Sequence, residues 1–277
     1  MSKKYPIDQS PFYCLRSKKK LAELLGISSV SKLQKLSSDD FYKEVVNDGK
    51  KFTPPVGVLR YVHNRIQILL SRIVTPDYLH SAVKGRSNLT NALSHSDAYG
   101  MVKTDIRQFF PSTPASKIKR FFLYQMRCSP DVACLLSELL TVGGFLPKGS
   151  PCSTTLAFWA NKQMFDELYQ ISKSVNANLT LYVDDVSVSM KGLDSNLLRR
   201  INGIIRRNGY QHHKHRIYRP SQPKVVTGIV LQNGKCRVKK GVYRKLRNGE
   251  DSDSSKGRRA YIQHVESTIT PHFGDKR

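Results

Sequence analysis

Between Leu179 and Met190 apolar and polar positions alternate in two short runs. Leu179, Leu181 and Val183 alternate with Thr180 and Tyr182, then Val186, Val188 and Met190 with Ser187 and Ser189. A period of two predicts two strands, and the runs meet at Asp184-Asp185, so a hairpin carries adjacent carboxylates at its tip. Such a tip is either a solvated turn, because aspartate favours turns, or a pair that a hard divalent cation relieves of mutual repulsion. Residues 101–106 predict another strand, placing Asp105 at its carboxyl end. Residues 212–218 form a basic strand. Residues 224–231 read as one strand leading to an Asn233-Gly234 turn.

Helical periods fall elsewhere. Residues 16–36 predict two short helices joined at Gly26, with Ser28 or Ser29 capping the second. Residues 58–73 place Leu59, Val62, Ile66, Leu69, Leu70 and Ile73 on one buried side. Thr113 is the expected cap, with Pro114 as first residue, of a helix reaching about Met126. A Gly- and Pro-rich loop at 143–151 feeds a long helix over 152–172, and a basic helix over 193–208 ends at Gly209. An Asp48-Gly49 turn precedes a basic edge strand that Pro54-Pro55 ends. Residues 249–257 read as a polar loop, followed by a short helix around 260–267.

Composition sharpens the choice of partner. The 277 residues carry 46 Lys and Arg against 21 Asp and Glu, a formal charge of +25 spread from end to end. That excess repels itself in a compact chain and is explained by a polyanionic partner, nucleic acid before an acidic membrane surface. Aromatics among the charges, as in residues 210–218, suit stacking on bases. No apolar run approaches the ~20 residues of a membrane span, and no apolar stretch follows the basic N-terminus, so the expectation is a cytoplasmic protein. Five scattered cysteines without C-x-x-C spacing favour neither disulfides nor zinc, and His212, His213 and His215, with no cysteine or carboxylate close by in the sequence, read as a base-contacting or solvated strand rather than a metal cluster.

If the strand ending in Asp105 lies beside the acidic hairpin, three carboxylates gather at one edge of an antiparallel sheet. Two divalent ions about 3.5–4 Å apart could then clamp an attacking hydroxyl and a triphosphate for in-line nucleotidyl transfer. In this order the segments resemble a reverse transcriptase, and more narrowly a bacterial retron reverse transcriptase. Residues 104–110 (Thr-Asp-Ile-Arg-Gln-Phe-Phe), 146–151 (Leu-Pro-Lys-Gly-Ser-Pro) and 182–185 (Tyr-Val-Asp-Asp) match its three catalytic motifs. Residues 91–95 (Asn-Ala-Leu-Ser-His) and 226–228 (Val-Thr-Gly) match its N-A-x-x-H and V-T-G elements. The likeness runs from about residue 15 to residue 265.

The resemblance implies an α+β right-hand polymerase. It divides into N-terminal helices and fingers over 1–100, a palm (antiparallel sheet backed by helices) with interleaved fingers elements over 101–232, and a short thumb or C-terminal region over 233–277. It implies Asp105 and Asp184, with the Ile106 carbonyl, as ligands of two Mg²⁺ ions, and Asp185 as a supporting carboxylate. Phe110 would be the aromatic gate against a 2′-hydroxyl, with Phe109 in the core. Gly149 would lie under the incoming nucleotide, and Lys50, Lys51 and Arg216 near its phosphates. Asn91 and His95 would help hold the RNA, and Val226, Thr227 and Gly228 would lie near the RNA or support the sheet. The implied reaction copies part of a cognate structured noncoding RNA into single-stranded cDNA (msDNA) from dNTPs, primed by a 2′-hydroxyl. The implied partners are that RNA, its cDNA and an effector protein of anti-phage defence, in a possible higher-order complex. The chain departs from the pattern at Lys148, where glutamine is common, and at Val183, where alanine is usual. The fourth-motif lysine falls among Lys214, His215 and Arg216, and the region after Val230 is short for a thumb. Two other readings are a reverse transcriptase of another bacterial defence family and a non-catalytic RNA-binding scaffold of the same fold.

Overall fold

The computed structural model describes residues 3–95, 99–192, 194–247 and 253–268. In chain order the elements are α1 (Lys18–Leu24), α2 (Val30–Lys35), β1 (Val45–Asn47), β2 (Lys50–Phe52), α3 (Gly57–Leu70), α4 (Asn88–Leu93) and β3 (Gly100–Ile106). They continue with α5 (Ala115–Arg120), α6 (Pro130–Leu139), α7 (Ser153–Ala160), α8 (Lys162–Lys173), β4 (Asn178–Tyr182), β5 (Asp185–Met190) and α9 (Ser195–Arg207). The last are β6 (His212–Tyr218), β7 (Lys224–Val226), β8 (Ile229–Gln232), β9 (Lys235–Val238), α10 (Lys240–Arg247) and α11 (Asp253–Glu266). The named strands pair only antiparallel, and helices are not interposed as parallel crossovers, which is the α+β class expected. No described helix is long and apolar enough to cross a membrane.

The chain divides into two compact units, one of Met1–Pro76 with Gln108–Phe165 and one of Asp77–Arg107 with Asp166–Arg277. In the first, Ser17 and Ser29 accept hydrogen bonds from the Lys20 and Lys32 amides, capping α1 and α2 on either side of Gly26 at φ 71°. α3 buries Leu59, Val62, Ile66, Leu69 and Leu70, its predicted stripe, and adds His63 to it. Phe12, Phe121, Phe122, Trp159 and Phe165 are the large buried rings of this unit. The β1–β2 hairpin turns through Asp48 and Gly49, both at positive φ, as their dipeptide predicts.

The second unit is built on a four-stranded sheet in the order β4-β5-β3-β6. Val102, Thr104, Ile106, Val186 and Val188 lie on one face of its central strands, where the Thr104 hydroxyl donates to Asn202 of α9 at 3.0 Å. A smaller sheet, β7-β8-β9, packs Val226, Ile229, Leu231, Cys236 and Val238 with Leu89 and Ala92 of α4 and Val265 of α11.

Several local expectations are corrected. Thr113 is not the cap of α5: Pro114 takes that place, and the Thr113 hydroxyl donates back to the Phe109 carbonyl at 2.8 Å. After Arg120 the helix widens into a π-turn over Phe121–Gln125. The long helix over 152–172 is interrupted at Asn161, whose amide side chain donates to the Ala157 carbonyl at 2.9 Å. Residues 224–231 are two strands folded at Thr227-Gly228. The polar stretch becomes helical from Asp253, and residues 249–252 lie outside the described residues.

Candidate active site

The register of the sheet brings the acidic residues together. Asp105 and Asp185 stand directly opposite across β3 and β5, and Tyr182 pairs with Asp185, leaving Val183 and Asp184 as a two-residue turn. The Ile106 amide donates to the Asp184 carbonyl at 3.0 Å, tying the turn to the end of β3. Val183 adopts φ 58°, a conformation that β-branched residues strongly disfavour. Its amide donates to the Ser81 hydroxyl at 2.9 Å, from a segment whose His80 amide donates to Leu181. The turn is therefore held in a strained shape by contacts outside the hairpin, a condition that recurs at functional sites.

The three carboxylates are not electrostatically equal. Asp185 accepts from the Lys103 ammonium at 3.0 Å, and that lysine lies two residues before Asp105 on the same face of β3. Burial, then the charge of Asp105, pushes Asp184 up to about 6. Asp105 is also raised, by burial first and by Asp185 next, with His213 Nδ1 3.2 Å from its carboxylate acting the other way. Among the described residues no three His, Cys, Asp or Glu side chains close around one point. Mg²⁺ is commonly held by one or two carboxylates plus substrate phosphates. Asp105 and Asp184, hard oxygen donors that are both raised by burial and by a neighbouring carboxylate, fit such an ion, whereas Asp185 already has its cation.

β6 supplies positive charge beside them. Lys103 pairs with Arg216 and Asp105 with His213, so one residue of β3 faces two of β6 and a bulge forms at Lys214-His215, with Lys214 at φ 51°. A bulge re-aims side chains. Lys214 and Arg216 consequently both line a cleft of about 400 Å³ with Lys103, Asp105 and Asp185, while Tyr218, Val225 and Lys239 complete it. His215 is not among its lining residues.

In the other unit the loop 146–153 is fixed at successive points. The Thr53 amide donates to the Lys148 carbonyl at 2.7 Å and the Ser153 hydroxyl to the Pro147 carbonyl at 2.7 Å. Lys148 places its ammonium 4.6 Å from the centre of the Phe52 ring, so this departure from glutamine is held by a cation–π contact with β2. Gly149 has φ 103°, and a Cβ there would lie 3.5 Å from Phe52 and Pro54. Ser150 is held by His63 of α3: Oγ to Nδ1 is 2.7 Å, while Nε2 stands 2.8 Å from the Leu139 carbonyl. Lys50 and Lys51 are exposed, and Lys51 pairs with Glu44 at 3.0 Å. Phe109 is buried edge-on to Phe165, and Phe110 is half-buried beside it.

The expected RNA-binding residues sit inward. Asn91 is fully buried and its amide donates to the Thr227 hydroxyl at 3.3 Å. His95 is buried with both ring nitrogens 2.7 Å from hydroxyls, Nδ1 from Ser189 and Nε2 from Thr180. Val226 is buried, and Thr227 and Gly228 form the β7–β8 turn. The N-A-x-x-H and V-T-G elements thus meet each other. The Asn91, His95 and Val226 side chains are thus in contact with the protein itself.

No family model matches the chain. Among curated proteins it is similar to the retron Se72 reverse transcriptase of Salmonella heidelberg, 31% identical over 145 residues, covering 50% of this chain and 38% of that protein. It is also similar to the retron Mx162 reverse transcriptase of Myxococcus xanthus, 27% identical over 91% of this chain and 64% of that protein. The chain is thus similar to several retron reverse transcriptases, one of them over most of its own length. It spans 38% and 64% of the lengths of those two relatives. A solved foamy viral protease-reverse transcriptase in complex with double-stranded DNA aligns at 15% identity and TM-score 0.46, covering 79% of this chain and 35% of that one.

The motifs that carry the resemblance are plain in the sequence, whereas the contacts of Lys103 and His63 emerge from the fold. Lys103 is signalled as the same-face neighbour of Asp105, and His63 as the polar member of the inward stripe of α3. The buried histidines predict a pH dependence. Burial lowers His63 to about 4 and His95 to about 3, both below the usual 6.5 of an unfolded chain. Below pH 6.5 the unfolded chain takes up protons that the fold refuses. Stability is therefore full above 6.5 and falls as pH drops toward 4, by up to about 1.4 kcal/mol per pH unit for each histidine. Urea midpoints between pH 7.5 and 4.5 check this, and His95→Gln should flatten the lower part of the curve.

Proposed function

We propose that this chain is an RNA-directed DNA polymerase of retron type. The observation that carries the reading is the cross-strand placement of Asp105 against Asp185, with Asp184 in the adjoining strained turn and a cationic cleft beside them. Asp105, Asp184 and the Ile106 carbonyl would hold two Mg²⁺ ions, with Asp185 supporting them and anchored by Lys103. Bound there, the ions would lower the pKa of an attacking hydroxyl and neutralise charge on the leaving pyrophosphate.

The protein's own residues orient the reactants. Lys214 and Arg216 would stabilise phosphate charge from the cleft, and the Lys214 ammonium would give a proton to the departing group. Lys50, Lys51 and Gly149 would serve the incoming dNTP in a fingers region, residues 101–232 would supply the palm, and 233–277 would act as the thumb. Phe110 would exclude a 2′-hydroxyl, so Phe110→Ala is expected to raise ribonucleotide incorporation on the order of tenfold in single-nucleotide extension.

The substrate would be a structured noncoding RNA, copied in part into msDNA from a 2′-hydroxyl primer, with an effector protein as partner in anti-phage defence. The motifs shared with retron relatives support this finer reading. Synthesis with the noncoding RNA encoded beside the gene, followed by sequencing, tests it. The expected product is complementary to part of that RNA and joined to it, whereas DNA unrelated to the RNA would assign the chain to a different defence chemistry.

A further inference from the structure

β7 is held at both ends by polar contacts. At its start the Lys224 side chain is fully buried, and its ammonium donates to the carbonyls of Arg219 at 3.2 Å and Gln222 at 3.0 Å. At its end Thr227 adopts φ 44°, a strained value for a β-branched residue. Three contacts with α4 offset that strain: the Thr227 hydroxyl donates to the Asn88 carbonyl at 2.9 Å, accepts from Asn91 at 3.3 Å, and the Thr227 carbonyl accepts from the Asn88 amide at 3.4 Å. Asn88 also donates to the Tyr261 hydroxyl of α11 at 2.7 Å, so one asparagine ties the turn to two helices. Between these anchors stands Val225, which lines the cleft containing Asp105 and Asp185.

We infer that Asn88, Asn91 and Thr227 form a latch that fixes the β7–β8 hairpin as a wall of the cationic cleft, so that the N-A-x-x-H and V-T-G elements position the strand end being extended from within the protein. Two observations separate this from RNA reading: Asn91 is buried, and the Thr227 hydroxyl is engaged as both donor and acceptor by α4. These are positioning residues, acting through Val225 and its strand. The part played in extension rests on the polymerase function proposed for the chain; the latch stands on the contacts alone.

Thr227→Val keeps the shape and removes the hydroxyl, and Thr227→Ser restores it. Amide hydrogen exchange over residues 224–232 reads the latch without any activity. Exchange is expected to quicken about tenfold in T227V and to stay near wild type in T227S, as the loss of one or two hydrogen bonds implies. In extension assays T227V should raise the apparent KM for a primed end about tenfold, with KM for dNTP and affinity for unprimed RNA within about twofold. If T227V does not fold, Asn91→Ala carries the same comparison. Unchanged exchange in the folded variant overturns the latch, and a tenfold loss of RNA affinity with unchanged exchange makes Thr227 an RNA contact instead. A wild-type chain that extends no primer overturns the polymerase function, while exchange and RNA affinity still decide the latch.

Discussion

Asp184→Asn and Asp105→Asn are each expected to lower DNA synthesis on the order of 10³-fold while leaving RNA affinity intact. Both residues carry charge that burial and their acidic neighbours disfavour, with Asp184 pushed up to about 6. Retaining such groups at the mouth of a cationic cleft makes sense where a metal and a triphosphate complete the charge balance. Removing either carboxylate would delete a proposed ligand from a set whose third member, Asp185, is already engaged by Lys103. Lys103→Met should cost less, about tenfold, because it releases Asp185 without deleting a ligand. Single-turnover extension of a primed RNA, run beside an RNA-binding titration, measures both quantities. Equal losses for the lysine and aspartate variants would contradict these unequal roles.

RNA affinity is expected to fall on the order of 10³-fold between about 50 and 200 mM salt, as phosphate neutralisation by six or more cations requires. The formal charge of +25 sets the scale of this effect. The structure shows exposed cations in groups: Arg199, Arg200, Arg206 and Arg207 on α9, and Lys214 and Arg216 on β6. Arg207 is partly committed to Glu167, so the rest of that helix face is the freer for phosphates. Titrations of the structured RNA at four salt concentrations give the slope. A shallow slope would mean that the charge serves something other than a polyanion.

Much of the second unit is legible in the sequence alone, because its strands obey a period of two with one apolar face. Leu179, Leu181, Val186 and Val188 alternate cleanly, and the pairing of Asp105 with Asp185 follows once β3 lies beside β5. The cap Ser29, one of the two serines offered, and the Asp48-Gly49 turn are equally legible, since each is a local device needing no distant partner. What escapes depends on distant contacts. The fold at Thr227-Gly228 hides inside an apolar run because threonine ordinarily favours a strand; only bonds from α4 hold it at positive φ. The break at Asn161 is masked by an apolar period that continues through it. α6 is absent from the predicted elements, although Pro130 at its first turn and the leucines at 135, 136 and 139 carry a signal for it.

The inward placement of Asn91 and His95 changes what their motif does. Both are held by side chains from the same unit, His95 by Ser189 and Thr180 and Asn91 by Thr227. A residue can mark a family and still act through packing, and here the physical work is to join α4 and the residues just after it to both sheets.

Divalent-dependent nucleotide addition by the unmodified chain is the most direct test of the proposed chemistry. A primed, structured RNA incubated with dNTPs and increasing Mg²⁺ should yield cDNA whose rate rises with the metal, is abolished by a chelator and is abolished by Asp105→Asn. Tight, salt-sensitive RNA binding with no nucleotide added at any Mg²⁺ concentration would contradict it and identify the chain as a binding scaffold.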